Sequence, residues 1–344
     1  MAYPATGIDK AEDFHNGVLY TGTGAEQTIS GVGFEPGLTW CKDRTNSYDQ
    51  VWYDAARGAT KRITCNTTGA ESDQAQGLKS WNSDGFVVGT GSNINNNTNE
   101  FVSWNWKTGT TSGLSGGTIT PSAYSFNATS KFGIYKRTGT ASAGTITHGL
   151  GGVPKMIITK NLTDTANWRV YHTSIGSGNG INLNESAGDY SDANLWNGTD
   201  PTSTVYSIGS SNDTNKSGSD FIDYVFCEMS GFSSIGKYTG NGNADGPFVY
   251  TGFRQAFVLV KCWSHAEPWL LWDDKRLGYN EKNYRINANE AGGDNTSIEI
   301  DLLSNGFKFI SSGAHLNGSG RYYLYLAFAE FPLVSSNDIP GMAR

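Results

Sequence analysis

The chain has 344 residues, of which 37% are hydrophobic and only 17% charged, with a net charge of −7. That length exceeds one ordinary core and suits two or three domains of roughly 100–150 residues, while ten Trp among 12% aromatics exclude a disordered chain. Acidic and basic residues are interspersed, so no basic cluster tracks a phosphate backbone, and the longest apolar run, Tyr322 to Ala329, is far short of a membrane span.

Many glycines and aromatics with little charge describe short strands joined by tight turns. In chain order, residues 1–18 read as an N-terminal arm without a signal-peptide pattern, so synthesis and retention in a cytoplasm are expected. A module follows over 19–109. It opens on Tyr20-Thr-Gly-Thr-Gly24, turns at Phe34-Glu-Pro-Gly37, and continues as an apolar strand, Leu38 to Lys42. Twelve residues after Lys42 stands Asp54, preceded by Tyr53, and then Gly58. A turn or two of helix is expected near Ala55 to Ala59. The strand Gly85-Phe-Val-Val, an Asn-rich turn and the strand Phe101-Val-Ser-Trp-Asn-Trp106 close the module.

Residues 110–132 form a Gly/Ser/Thr linker that should let the first module swing. The same series then recurs twice, over 133–232 and 233–332. Tyr135 and Tyr238 open it, Met156 to Lys160 and Phe257 to Lys261 form the apolar strand, and His172 and Asp273 follow at the same twelve-residue step, with Gly176 and Gly278 after them. Val205-Tyr-Ser-Ile and Gly306-Phe-Lys-Phe match the penultimate strand, and Phe221 to Phe226 and Tyr323 to Phe328 match the last. The second and third modules join almost directly around Gly231 to Gly236, and residues 333–344 read as a C-terminal tail. Two-residue alternation places Val102, Trp104 and Trp106 on a core face, with Ile222, Tyr224, Phe226 and Leu324, Leu326, Phe328 as counterparts. Phe101, Ser103 and Asn105 would then face water. The expected fold is all-β, as three tandem antiparallel β-sandwich modules of jelly-roll-like character.

Strings with enzymatic letters lack the context that enzymes need. Gly113-Leu-Ser-Gly-Gly117 has no strand before it or helix after it, as a nucleophile elbow requires. Gly231 to Tyr238 fits a phosphate loop except that Tyr replaces the final Ser or Thr. Gly22-Thr-Gly24 opens no helix. Asn212-Asp-Thr-Asn-Lys-Ser is a common turn before it is a calcium loop. Asp54, His172 and Asp273 gain no second recurring carboxylate and read as side chains that bond turn amides. The five His form no ligand pair, and Cys41, Cys65, Cys227 and Cys262 form no C-x-x-C pair, so they read as buried thiols. No catalytic residue, metal site or cofactor is expected.

Glycan binding is the surface chemistry this composition favours, because sugars stack on aromatic rings. The candidate contacts are Trp263, His265 and Trp269 in one loop and Trp196 in another. The alternative is that these rings plug sandwich ends or module contacts, since large aromatics gain more from burial.

The wording of the modules also carries a resemblance. Tyr20-Thr-Gly-Thr-Gly24, Ser83-Asp-Gly-Phe86, Val102-Ser-Trp-Asn-Trp-Lys107, Tyr238-Thr-Gly-Asn-Gly242 and Ala327-Phe-Ala-Glu330 resemble a family of tailed-bacteriophage virion structural proteins of the tail-fibre-like type, over about residues 19–332. The resemblance implies a non-enzymatic protein of the virion, assembled in the host bacterial cytoplasm. As partners it implies other virion proteins, a homo-oligomer (a trimer for a fibre) and a host-surface glycan, with no nucleic acid and no membrane insertion. The alternative it leaves is a head decoration, collar or tail-shell protein that binds only virion proteins.

Overall fold

A computed structural model describes residues 7–276, 280 and 283–332; Gly278, residues 1–6 of the expected arm and the tail 333–344 lie outside the described residues. The chain is almost entirely β, with 44% strand and 5% helix, in antiparallel sheets that form no barrel. Each repeat supplies one large sheet. In the first, the strands lie in the order His15–Thr21, Glu100–Lys107, Pro36–Asp43, Val51–Asp54, Lys61–Thr64 and Ser72–Asp73. The second repeats this order and adds Ala123–Asn127 at one edge, so part of the segment read as linker is a strand. In the third, Ser233–Thr239, Tyr322–Pro332, Phe253–Cys262, Trp269–Asp273 and Ile286–Asn287 follow the same order. A smaller sheet covers the outer face in each case: Gln27–Ile29, Gly85–Val88 and Leu78–Asn82; Gly144–Thr147 and Val205–Ile208; Phe248–Tyr250, Gly306–Phe309 and Ile300–Leu303.

The inner faces of all three large sheets meet in one core. Val102, Trp104, Trp106, Ile222, Tyr224, Phe226, Leu324, Leu326 and Phe328 all lie in it, so the face chosen by alternation is the shared one. Trp52 contacts Trp168 at 5.2 Å and Tyr224 at 4.8 Å between ring centroids, and Phe257 contacts both Trp104 and Trp106. The other face is not wet, contrary to the expectation. Phe101, Ser103 and Asn105 are fully buried, because Tyr20 stacks on Phe101 and the Asn105 amide donates to Ser103 Oγ and the Asn16 carbonyl. Buried polar donors are tolerated when their hydrogen bonds are met inside, as for the Asn105 amide nitrogen; its Oδ1 has no partner among the described residues.

Four bonds recur at every junction between modules and run in one rotational sense. Lys42, Lys160 and Lys261 each donate to a carbonyl of the neighbouring module, Ala291, Thr68 and Ser186, at 2.9 Å in all three. The side chains of Gln50, Trp168 and Trp269 donate to the carbonyls of Asn287, Thr64 and Asn182. The amides of Asp294, Glu71 and Asp189 donate to the carbonyls of Arg44, Leu162 and Trp263. Trp104 donates to Asp273 and Tyr224 to Asp54 at 3.0 and 2.6 Å, while His172 meets the Tyr325 carbonyl at 3.4 Å. First module bonds third, third bonds second, second bonds first: the chain closes on itself with approximate threefold symmetry. The first module therefore does not swing on a tether.

The turns that announce each module fold around a buried Asn. Single helical turns at Ser92–Asn95, Asn212–Asn215 and Ala314–Asn317 end on it, whereas Ala55 to Ala59 forms only a turn. Asn95, Asn215 and Asn317 accept from the amides of Thr23, Thr140 and Asn241 and donate to the carbonyls of Gly89, Gly209 and Ser311. Tyr20 and Tyr238 occupy equivalent places, with hydroxyls on the Ile94 and Leu316 carbonyls. Tyr135 does not share that place; Arg137 does, bonding the Thr214 carbonyl over the Phe221 ring. The alignment of Tyr135 with the other two was thus two residues off, which alternation hides because i and i+2 share a face.

Candidate functional site

Loops 43–50, 161–168 and 262–269 lie at one end of the molecule, each next to the start of its module's last strand. They are built alike. The amides of Arg44, Leu162 and Trp263 donate to the carbonyls of Glu100, Asp220 and Tyr322. Thr45, Thr163 and Ser264 accept from the amides of those same three residues. The backbone is fixed three times over, so differences in what the loops display come from side chains.

The first loop displays charge that is already neutralised. Arg44 pairs with Asp294 at 2.9 Å and with Glu100 at 3.0 Å. The second tucks Leu162 into the shared core. The third holds Trp263 half-buried and stacked on Tyr322, with centroids 5.7 Å apart and planes 20° apart, and Tyr322 is 50% exposed. Around the pair lie polar groups suited to hydroxyls. Exposed His265 meets Ser264 Oγ through Nδ1 at 3.0 Å, and Arg321 pairs with Glu267 at 2.5 Å. Asp189, from the second module, joins the loop through its amide on the Trp263 carbonyl at 2.8 Å. Its carboxyl is pushed above the usual carboxylate range by burial. Beneath them, burial pulls the Lys261 ammonium down to about 8, while it donates hydrogen bonds to the Ser186 and Glu267 carbonyls.

The structure divides the four glycan candidates. Trp263 and His265 belong to this exposed loop. Trp269 is fully buried, because it begins a strand and spends its indole N–H on the Asn182 carbonyl across the junction. Trp196 is buried against Tyr171 at 5.9 Å. Neither buried ring offers a face to a sugar; contrary to the expectation, both are core residues. Tyr322, Arg321, Glu267 and Asp189 were missed. The available signal was the repeat itself: Tyr322 stands where the other modules place Glu100 and Asp220, an apolar ring in a charged position.

The recurring polar position is structural. Asp54 accepts the amides of Ala56 and Arg57 and the Arg57 guanidinium, and Asp273 accepts those of Lys275 and Arg276 and the Arg276 guanidinium. His172 Nδ1 accepts the Ser174 amide. The Asn212 string is the helical turn Asn212–Asn215, and most of the Gly231 string is the strand Ser233–Thr239. All four cysteines are free and buried. Among the described residues no group of three or more His, Cys, Asp or Glu side chains is placed to hold a metal ion. The loop offers an aromatic stack with hydroxyl-bonding groups beside it.

The chain belongs to the family described as Domain of unknown function (DUF7483), which it matches over residues 10–332. No curated protein and no solved structure matches it.

Proposed function

We propose that this chain is a non-enzymatic structural protein of a bacteriophage particle. It is a tail-associated fibre or adhesin that touches a host-surface glycan through the Trp263–Tyr322 loop. One observation carries the binding part. Of three loops with the same backbone, one alone leaves an aromatic pair to solvent. Exposing such rings forgoes burial that contributes roughly 25 cal/mol per Å², and a ligand that covers the stack restores it. The phage part draws on the wording of the modules. A closed ring of sandwiches bonded at each junction also suits a particle exposed to proteases.

Binding of the purified protein to a glycan array and to host envelopes tests the reading. Trp263→Ala and Tyr322→Ala should each abolish binding, while Trp196, being buried, offers no comparable test. No binding to any glycan or envelope would overturn the adhesin reading.

The second reading, a head decoration, collar or tail-shell protein, is favoured by the far end of the last strand. Tyr322–Pro332 runs from the aromatic pair to Phe331, which is 48% exposed; an eleven-residue strand spans roughly 35 Å. Val153, 49% exposed, lies towards that same end, just before Pro154 pairs with Cys227. Apolar side chains there suit a partner in the virion. Hundreds of copies per particle would favour decoration, and a few to a few tens a fibre. Homo-oligomerisation remains part of the proposal, and light scattering of the purified chain tests it.

A further inference from the structure

We propose that a cleft in the first module binds a carboxylate-bearing sugar ring, such as a uronic acid, at Arg62. The cleft has a volume of about 270 Å³ and is lined by Asp49, Arg62, Thr64, Thr67, Gly69 and Ser72, among others. It lies on the outer face of the strands Lys61–Thr64 and Ser72–Asp73, where Arg62 pairs in register with Ser72.

The other two modules show what belongs at this place, because each fills it from its own chain. In the second, Arg62 and Ser72 are replaced by Gly180 and Tyr190, paired in the same register. The end of the Tyr190 ring lies over Gly180, where an added Cβ would meet its hydroxyl oxygen at 3.0 Å. That hydroxyl accepts from Arg169 at 2.6 Å. In the third, Arg285 bridges to Asn295 in the equivalent register, and its guanidinium is neutralised by Glu299 at 2.6 Å. One module thus plugs the place with a hydroxylated six-membered ring, and another supplies a carboxylate to the arginine.

The first module supplies neither. Ser72 stands in place of the tyrosine. The nearby carboxylates are engaged elsewhere: Glu71 with Arg57, Asp73 with Lys61, and Asp49 with the Asn66 amide. Arg62 has no hydrogen-bond or ion-pair partner among the described residues, although it is only partly exposed. A planar guanidinium in that state fits a carboxylate in bidentate fashion. The hydroxyls of Thr64 and Thr67 bond each other, which leaves one of their protons and their remaining lone pairs for a ligand, and the Ser72 hydroxyl can donate and accept beside them, as ring hydroxyls require. A six-membered ring that carries hydroxyls and one carboxylate combines the two plugs in one ligand.

This inference deepens the glycan reading and rests on it only for the class of ligand, since the cleft is in a different module from Trp263. The test titrates the full chain with glucuronate and galacturonate, and with glucose and acetate for comparison, by calorimetry or saturation-transfer NMR. At least one uronate should bind at least about tenfold more tightly than glucose, the factor expected for one charge-assisted contact, and more tightly than acetate, which lacks the ring hydroxyls. Arg62→Met should remove that preference. Ser72→Tyr, which adds a ring to the cleft beside Arg62 where the second module has Tyr190 over Gly180, should obstruct uronate binding while the melting temperature holds. Trp263→Ala should leave uronate binding unchanged, which separates failure of this site from failure of the aromatic loop. Equal binding of uronate and glucose, undiminished binding by Arg62→Met, or no uronate binding at tens of millimolar would each overturn the proposal.

Discussion

Loops 161–168 and 262–269 hold the same place in consecutive modules and share their backbone bonds to the last strand and to the neighbouring module. Their surfaces differ completely. The first buries Leu162 and engages Asp164 with Lys216 and Ser219, whereas the second stands Trp263 against a half-exposed Tyr322. Bonds repeated three times are what the ring of modules needs to close. Side chains that appear once, at a position where the repeat has something else, are free of that need. The comparison therefore sorts the molecule into a scaffold and its decorations, and it can be broken at either.

The largest effect should come from the scaffold. Trp52 sits where the first two modules meet, between Trp40, Trp168 and Tyr224. Trp52→Ala removes a fully buried indole and should cost about 3–5 kcal/mol. Because the core is continuous through all three modules, denaturant unfolding should remain a single transition that moves as a whole. A biphasic transition, with one module lost first, would show that the junctions are weaker than their bonds suggest.

A smaller effect is expected at one junction. Lys160 donates to Thr68 in the first module at 2.9 Å and to Ala166 in its own loop at 2.7 Å. Lys160→Met keeps the stem's packing and leaves both carbonyls without that donor, which should cost about 2 kcal/mol. Relief of the buried charge offsets part of this, since burial already pulls the ammonium down to about 8. The same change at Lys42 or Lys261 should cost a similar amount if the three junctions are equivalent. Denaturant midpoints of the three variants check this directly.

The sequence made the anchors legible and left their meaning obscure, for a physical reason. The twelve-residue step from Lys to the polar residue is visible because a strand, a loop and a strand have fixed lengths. That both ends of the step reach into the neighbouring module is not visible, because contacts between modules leave no local spacing. Alternation assigned Trp104 and Trp106 to a core correctly, but it could not show that three modules share that core. It also misread Ser103 and Asn105 as wet, since their mutual hydrogen bond lies across the strand's face rather than along the pattern. Trp263 and Trp269 are six residues apart and equally apolar. Only the start of a strand at Trp269 separates the exposed ring from the buried one.

The mildest perturbation is acid, and it acts on scaffold positions whose charges oppose one another. Burial lowers His15 to about 3 and His172 to about 4, so both stay neutral in the folded chain where the unfolded chain would take up protons near 6.5. Folded values below unfolded ones mean that stability is lost as pH falls through 6.5, by about 2 kcal/mol per histidine between pH 7 and 5. Asp274 has the opposite sign. Burial raises its carboxyl to about 7, so the folded chain takes up a proton between 7 and 4 that the unfolded chain does not, which returns about 2 kcal/mol over the same interval. Asp274 and His15 line one small cavity, and among the described residues Oδ1 of Asp274 and both ring nitrogens of His15 have no hydrogen-bond partner. From these three groups together the net loss from pH 7 to 5 should therefore be about 2 kcal/mol rather than 4. Asp274→Asn should stabilise the chain at pH 7 and steepen the acid loss, because it removes the offset and keeps the shape. Urea midpoints of the parent and the variant at pH 7 and pH 5 decide it. A variant with the parent's pH slope would mean that Asp274 is ionised in the folded chain at pH 5, held so by Lys275 at 3.2 Å.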